Sequence, residues 1–154
     1  MSTNVKAIPE GYTSVTPYLI FKDASKAIDY YKKVFAAKEI MRMPSPDGKI
    51  GHAEIQIGDS KLMLSDENEK NGSRSPEAFG GSPIAIHLYV QDVDQTVKAA
   101  VDAGGKLLKP IENMFYGDRN GMVQDPHGYK WCISTHVEDV TPEQMKQRMA
   151  ELCG

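Results

Sequence analysis

Cysteine is scarce: Cys132 and Cys153 are the only two in 154 residues and no CxxC occurs, so neither a disulfide framework nor a zinc knuckle is encoded. Long apolar runs are missing too. No segment approaches the roughly 18 residues of a membrane span, and the first eleven residues hold one lysine and no apolar signal core. The expectation is a cytoplasmic protein with no membrane partner. A dominant charge is also lacking, with 18 basic against 21 acidic residues and no block of Lys or Arg, which argues against nucleic acid as a partner. No GxGxxG, GxxxxGKS/T or GxSxG is present, so nucleotide-binding and serine-hydrolase chemistry have no support. What is there is 40% hydrophobic residues and 13 glycines in a length that suits one domain of roughly 150 residues.

The chain is written twice. PYLIFKDASKAI at 17–28 and IHLYVQDVDQTV at 86–97 both read as an alternating strand, an aspartate and the opening of a helix. Asp23 and Asp92 are 69 residues apart, and the same offset pairs Leu19 with Leu88, Ile28 with Val97, and Leu62-Met63-Leu64 with Trp131-Cys132-Ile133. One register holding at both ends of each half predicts an internal repeat.

Each half parses as strand, helix and three further strands, giving an α+β fold: two tandem βαβββ modules that form a curled mixed sheet with helices on its outer face. The first module spans 12–66, with strands near 14–21, 38–43, 50–57 and 60–65 and a helix at 24–36 capped by Asp23. The second spans 84–137, with strands near 84–90, 106–109, 113–124 and 129–136. Its helix at 93–103 is opened by Asp92 with Gln95 and closed by Gly104-Gly105. Residues 67–83, rich in glycine, proline and polar groups, read as a linker or mobile flap. Residues 138–154 form a helical appendix, with Thr141, Pro142 and Gln144 as its start signal and Met145, Met149 and Leu152 as a narrow stripe that would dock on the parent domain or on a second copy. The whole, 1–154, reads as a single domain.

Alternation along the strands separates two faces. Val15, Pro17, Leu19 and Phe21, then Ala53, Ile55 and Ile57, then Leu62 and Leu64, then Ile84, Ile86, Leu88 and Val90, then Trp131 and Ile133 form the aliphatic side that helices would cover. The opposite side carries Thr16, Tyr18, His52, Glu54, Gln56, Met63, Ala85, His87, Tyr89 and Cys132. A face mixing aromatic, sulfur and polar groups suits a concave ligand pocket. Its expected floor is Tyr18, Glu54, Met63, His87, Tyr89 and Cys132, shared by both halves, with residues 68–83 closing over it.

DASKAIDYYKKVF, GHAEIQIGDSKLMLSDE and DPHGYKWCISTHVEDVTPEQM on a doubled βαβββ unit resemble the vicinal-oxygen-chelate superfamily, which includes glyoxalase I, bleomycin-resistance proteins, fosfomycin-modifying enzymes and extradiol dioxygenases. FYGDRNGMVQDPHGYKW followed by STHVEDV is most similar to the small proteins named after the B gene of phosphonate operons. In metal-dependent members, four ligands from the first and last strands of both halves, commonly His and Glu, hold a divalent ion. Carried over by position, they fall on Thr16, Met63, Ala85 and Cys132. A hydroxyl, a thioether, a methyl and one thiol do not hold a hard or borderline ion. A displaced site built from His52, Glu54 and His87 is the remaining route to a metal, although these side chains read more readily as polar anchors. Cys132 beside Ser134, with His87 or His136 near, has the parts of a nucleophile, yet a lone strand cysteine is more often a small buried hydrophobe.

Two functions follow. The first is a small-molecule binding protein with a metal-free pocket and no cofactor: Tyr18, Tyr89 and Phe115 or Tyr116 stack on a ring-bearing organic ligand, while His52, Glu54, Gln56 and Arg119 anchor it. The alternative is a divalent-metal lyase, isomerase or dioxygenase using the displaced site, with Glu54 moving a proton if it is not a ligand. Open sheet edges predict a homodimer in either case.

Overall fold

The computed structural model describes residues 4–154 and divides between Ser75 and Pro76 into two compact units. In the first unit the elements are β1 (Tyr18–Phe21), α1 (Ala24–Phe35), β2 (Lys38–Pro44), β3 (Ile50–Ile57) and β4 (Ser60–Asp66). In the second they are β5 (Ala85–Tyr89), α2 (Val93–Asp102), β6 (Lys106–Asn113), β7 (Asp118–Gln124), β8 (Lys130–His136) and α3 (Pro142–Cys153). Each unit holds one four-stranded mixed sheet, ordered β1-β4-β3-β2 and β5-β8-β7-β6, with one parallel pair in each.

The repeat extends to the hydrogen bonds. Tyr18 pairs with Met63 and Leu19 with Leu64 in β1/β4, and their counterparts 69 residues on, His87 with Cys132 and Leu88 with Ile133, pair in β5/β8. Both helices start alike: Asp23 accepts from the Lys26 amide and Asp92 from the Gln95 amide, each at 3.0 Å. The next free amide of each first turn is met from the last strand of its own sheet, Ala24 N by Asp66 Oδ1 at 2.7 Å and Val93 N by Thr135 Oγ1 at 3.0 Å. Helix N-termini leave such donors unpaired, so these contacts fix helix to sheet.

In the first unit α1 presents Ala24, Ala27, Ile28, Tyr31, Val34 and Phe35 at helical spacing, all buried. Phe21 and Tyr31 meet edge-on at 6.0 Å between centroids, and Tyr31 stacks on Phe35 at 5.8 Å. Ile55 and Leu64 close the layer beneath them, both fully buried; each such side chain contributes about 1.5–3 kcal/mol by burial. Trp131, Ile133 and Val123 fill the corresponding layer under α2.

Several expected features differ. Val15 and Ile84, read as core, are 80% and 66% exposed, because both strands start later than the alternation suggested. Pro17 has no N–H for a ladder; its carbonyl accepts from Met63 N just before β1 begins. β6 runs through Pro110 to Asn113, and the turn falls at 114–117, where Gly117 takes φ +98°. β6 is the outer strand of its sheet, where a missing N–H is tolerated. The segment expected to be a linker or mobile flap contains two short 3-10 helices, Glu69–Asn71 and Pro76–Phe79, and Glu67 Oε1 accepts from the amide and hydroxyl of buried Ser75 at 2.9 and 2.5 Å. α3 has its expected capping box at Thr141 and Gln144. Arg148 supplies a polar anchor, donating to both Glu138 oxygens and to the Phe115 carbonyl; of the apolar stripe Met145 is half-buried, while Met149 and Leu152 are exposed.

Candidate functional site

Each sheet has one face covered by its helix and one left open. On the open face of the first sheet, cross-strand pairing sets Tyr18, Met63, Glu54 and Met41 in one row, and His52 beside Met43 in the next. His52 and Glu54, two residues apart on β3, share this face by alternation. The Tyr18 hydroxyl lies 2.8 Å from His52 Nδ1, and His52 Nε2 lies 3.0 Å from Glu54 Oε1. A carboxylate only accepts, so the ring hydrogen is assigned to Nε2, and the remaining nitrogen accepts from Tyr18. Glu54 is buried, His52 half-buried and Tyr18 exposed, so the chain of contacts runs from the sheet outward. Gln56 turns away from this chain and donates to the Gly58 carbonyl at 2.9 Å.

On the open face of the second sheet, His87, Cys132 and Met122 form a row across β5, β8 and β7, and Tyr89, Ser134 and Asn120 form the next. The rings of His87 and Tyr89 are 4.8 Å apart. Tyr89 donates to Asp118 Oδ2 at 2.8 Å; this bond to a carboxylate, with a smaller contribution from partial desolvation, holds the phenol above its ordinary pKa. Asp118, buried at the start of β7, also accepts from His136 Nδ1 at 2.8 Å, and His136 Nε2 meets Asp139 at 2.8 Å. The two carboxylates, Asp118 first and Asp139 second, raise the His136 pKa. Tyr116 accepts from the Asn120 amide at 2.7 Å, and Cys132 Sγ is 4.0 Å from the Ser134 hydroxyl.

Arg119, expected as an anchor on the open face, points the other way. It grips both carboxylate oxygens of Asp94 on α2 at 2.8 Å, because alternation places it opposite its neighbours Asp118 and Asn120. The buried Asp118 with His136 was the group missed by sequence reasoning. The two lie 18 residues apart and meet only through the β7/β8 register, which pairs them directly.

The metal expectation is tested by donor chemistry. Thr16, Met63, Ala85 and Cys132 offer a hydroxyl, a thioether, a methyl and a thiol, a set that does not fit a hard or borderline divalent ion. Of the displaced candidates, both ring nitrogens of His52 are engaged within the first unit. Among the described residues, neither unit gathers three or more His, Cys, Asp or Glu side chains able to hold an ion. No helix among those residues is long and apolar enough to cross a membrane.

The comparisons with known proteins agree with this architecture. An uncharacterised protein of Mycobacterium bovis is 37% identical over 140 residues, covering 89% of this chain and 92% of that one. The crystal structure of TioX from Micromonospora sp. ML1 superposes with a TM-score of 0.63 at 24% identity, covering 84% of this chain and all of the other. FosX from Listeria monocytogenes, a fosfomycin resistance protein complexed with Mn(II) and sulfate, gives 0.62 at 18% identity over 89% of this chain and 97% of its own. Residues 13–133 match the family model described as Glyoxalase/Bleomycin resistance protein/Dioxygenase superfamily, and the chain belongs to that superfamily.

Proposed function

We propose that this protein binds a small ring-bearing organic molecule without a divalent metal, and that the ligand carries N–H or O–H donors. One observation carries the reading: Tyr18 and Tyr89 both commit their hydroxyl protons to protein partners, His52 and Asp118. Each then offers a ring face and an acceptor oxygen to a visitor. Tyr18 and Tyr89 are 47% and 60% exposed, so each leaves ring surface that a ligand can cover. Met63, Met41 and Met122 add soft, adaptable apolar surface to the same faces. Within the superfamily, we place the chain with the phosphonate-operon B-type proteins on the strength of FYGDRNGMVQDPHGYKW and STHVEDV. We also propose a homodimer. The outer strands β2 and β6 expose Ile40, Met41, Met43, Leu107 and Leu108, and open apolar edges invite pairing.

The test is a binding screen of ring compounds with and without N–H donors, run in the presence of a chelator. Donor-bearing rings are expected among the hits, and Tyr89→Ala should weaken them about tenfold, since stacking contributes of order 1 kcal/mol beyond buried area. Ile86→Ala, on the helix-facing side, should lower stability and leave affinity intact. Hits that require added Mn, Ni, Zn or Fe would favour the divalent-metal lyase, isomerase or dioxygenase reading through His52, Glu54 and His87. Sedimentation showing only a 17.0 kDa species at tens of micromolar would remove the dimer.

A further inference from the structure

The open face of the first sheet contains an arrangement that binding alone does not use. Nucleophilic side chains are activated when a base lies within hydrogen-bond reach and a third group orients that base. Here the reach is 2.8 Å from the Tyr18 oxygen to His52 Nδ1, and the orienting contact is 3.0 Å from His52 Nε2 to Glu54 Oε1. Three properties favour chemistry over mere cohesion. The carboxylate is buried on the sheet, where its attraction for an imidazolium is least screened. The imidazole is pinned by both nitrogens, so its tautomer and plane are set in advance. The phenol is at the exposed end, 47% accessible, where an electrophile can approach.

We propose that Tyr18 is an activated nucleophile, with His52 as its base and Glu54 as the positioning residue, and that this face captures activated acyl or sulfonyl groups covalently. In the step, the Tyr18 oxygen forms a bond to the electrophilic carbon or sulfur as its proton passes to His52 Nδ1, and the bond to the leaving group breaks. The leaving group departs as an anion, and the imidazolium, held by Glu54, then returns its proton to solvent. No metal, oxidant or reductant takes part.

Tyr89 is a built-in control. It is more exposed than Tyr18, at 60%, but its hydroxyl is bonded to the Asp118 carboxylate, which holds the proton on the phenol. Accessibility alone therefore ranks Tyr89 first, and activation ranks Tyr18 first. The inference uses the same face as the proposed ligand site but does not depend on that ligand, because the reagent supplies its own electrophile.

The experiment is a time course with an aryl sulfonyl fluoride on the native protein, read by peptide mass spectrometry at each tyrosine. Tyr18 should gain the aryl sulfonyl group at least tenfold faster than Tyr89, with fluoride released in equal amount. His52→Ala should remove that advantage and added imidazole should restore part of it. Glu54→Gln should slow labelling without abolishing it, and Tyr18→Phe should leave no adduct at position 18. Equal labelling of Tyr18 and Tyr89 in the native protein would overturn the proposal without any variant, and so would a Tyr18 rate indifferent to His52→Ala in a protein with native circular dichroism. Either result would leave the noncovalent binding screen above to stand or fall by itself.

Discussion

Replacing Asp125 with alanine tests how the turn between β7 and β8 is held. Asp125 is 3% exposed; its Oδ1 accepts from the backbone amides of His127 and Tyr129 at 2.9 and 3.0 Å, and its Oδ2 accepts from Trp131 Nε1 at 2.9 Å. This is why the aspartate, tyrosine and tryptophan of DPHGYKW occur together. A hydrogen bond to a charged group contributes about 1.5–3 kcal/mol, and a donor stranded in the interior costs about 1–3 kcal/mol. In Asp125→Ala the His127 amide can find water, but the Tyr129 amide and the indole of Trp131, which is 1% exposed, cannot. The expected loss is about 3–5 kcal/mol. Asp125→Asn keeps one oxygen for the two backbone donors and turns an N–H toward the indole N–H, so about 1–3 kcal/mol is expected. Trp131 is the single tryptophan and is buried within the second unit, so its fluorescence during urea unfolding reads that unit directly. With a slope of roughly 1–3 kcal/mol per molar, the midpoint should fall by about 1 M or more for the alanine variant. Trp131→Phe removes one of the stranded donors and the fluorescent probe with it, so these variants are followed by far-UV circular dichroism in urea, and the double variant should cost less than the two single changes together. A loss below about 1 kcal/mol for Asp125→Ala, or full additivity, would refute the reasoning.

Gly117→Ala should be severely destabilising, since the site has φ +98° and an added Cβ would collide with the Glu138 carbonyl oxygen; hydrogen exchange over 137–153 should rise, and native protection there would contradict the prediction. His136 is raised by Asp118 and Asp139, so folding favours its charged form. Its contribution is fully present below the unfolded value of about 6.5 and is lost as pH rises through the higher folded value. Stability of the second unit should therefore fall over that window, and a His136→Gln variant with an unchanged pH curve would show the pair to be inert. Arg119→Ala, which breaks an exposed pair with Asp94 on the helix side, should leave the affinity of screen hits unchanged. A loss of binding would return Arg119 to the open face.

The repeat was legible because one offset governs strands, caps and register together, from Asp23/Asp92 to Met63/Cys132. Alternation alone separated Ile55 and Leu64 from Glu54 and Met63. It did not separate strand from approach segment at Val15 and Ile84, where an apolar residue continues the pattern outside the ladder. Pro110 reads as a breaker only if every strand needs its amides, and an outer strand does not. Arg119 reads in the sequence as a polar anchor, whereas its place one residue after Asp118 decides its face. Asp118 with His136, and Asp66 with the start of α1, were hidden because each depends on a partner brought near only by sheet pairing or helix packing. The Tyr18–His52–Glu54 chain was half visible: the i, i+2 spacing of His52 and Glu54 gave the shared face, and the approach of Tyr18 required the fold.

Metal analysis tests the central claim most directly. The protein, carrying Cys153→Ser to remove the exposed thiol, would be purified without added ions, incubated with Mn, Ni, Zn and Fe in turn, and dialysed. The account predicts no stoichiometric retention and a thermal midpoint unmoved by chelator. A tightly held, stoichiometric divalent ion that disappears in Glu54→Gln or His87→Ala would contradict it and make the displaced site the centre of this protein's chemistry.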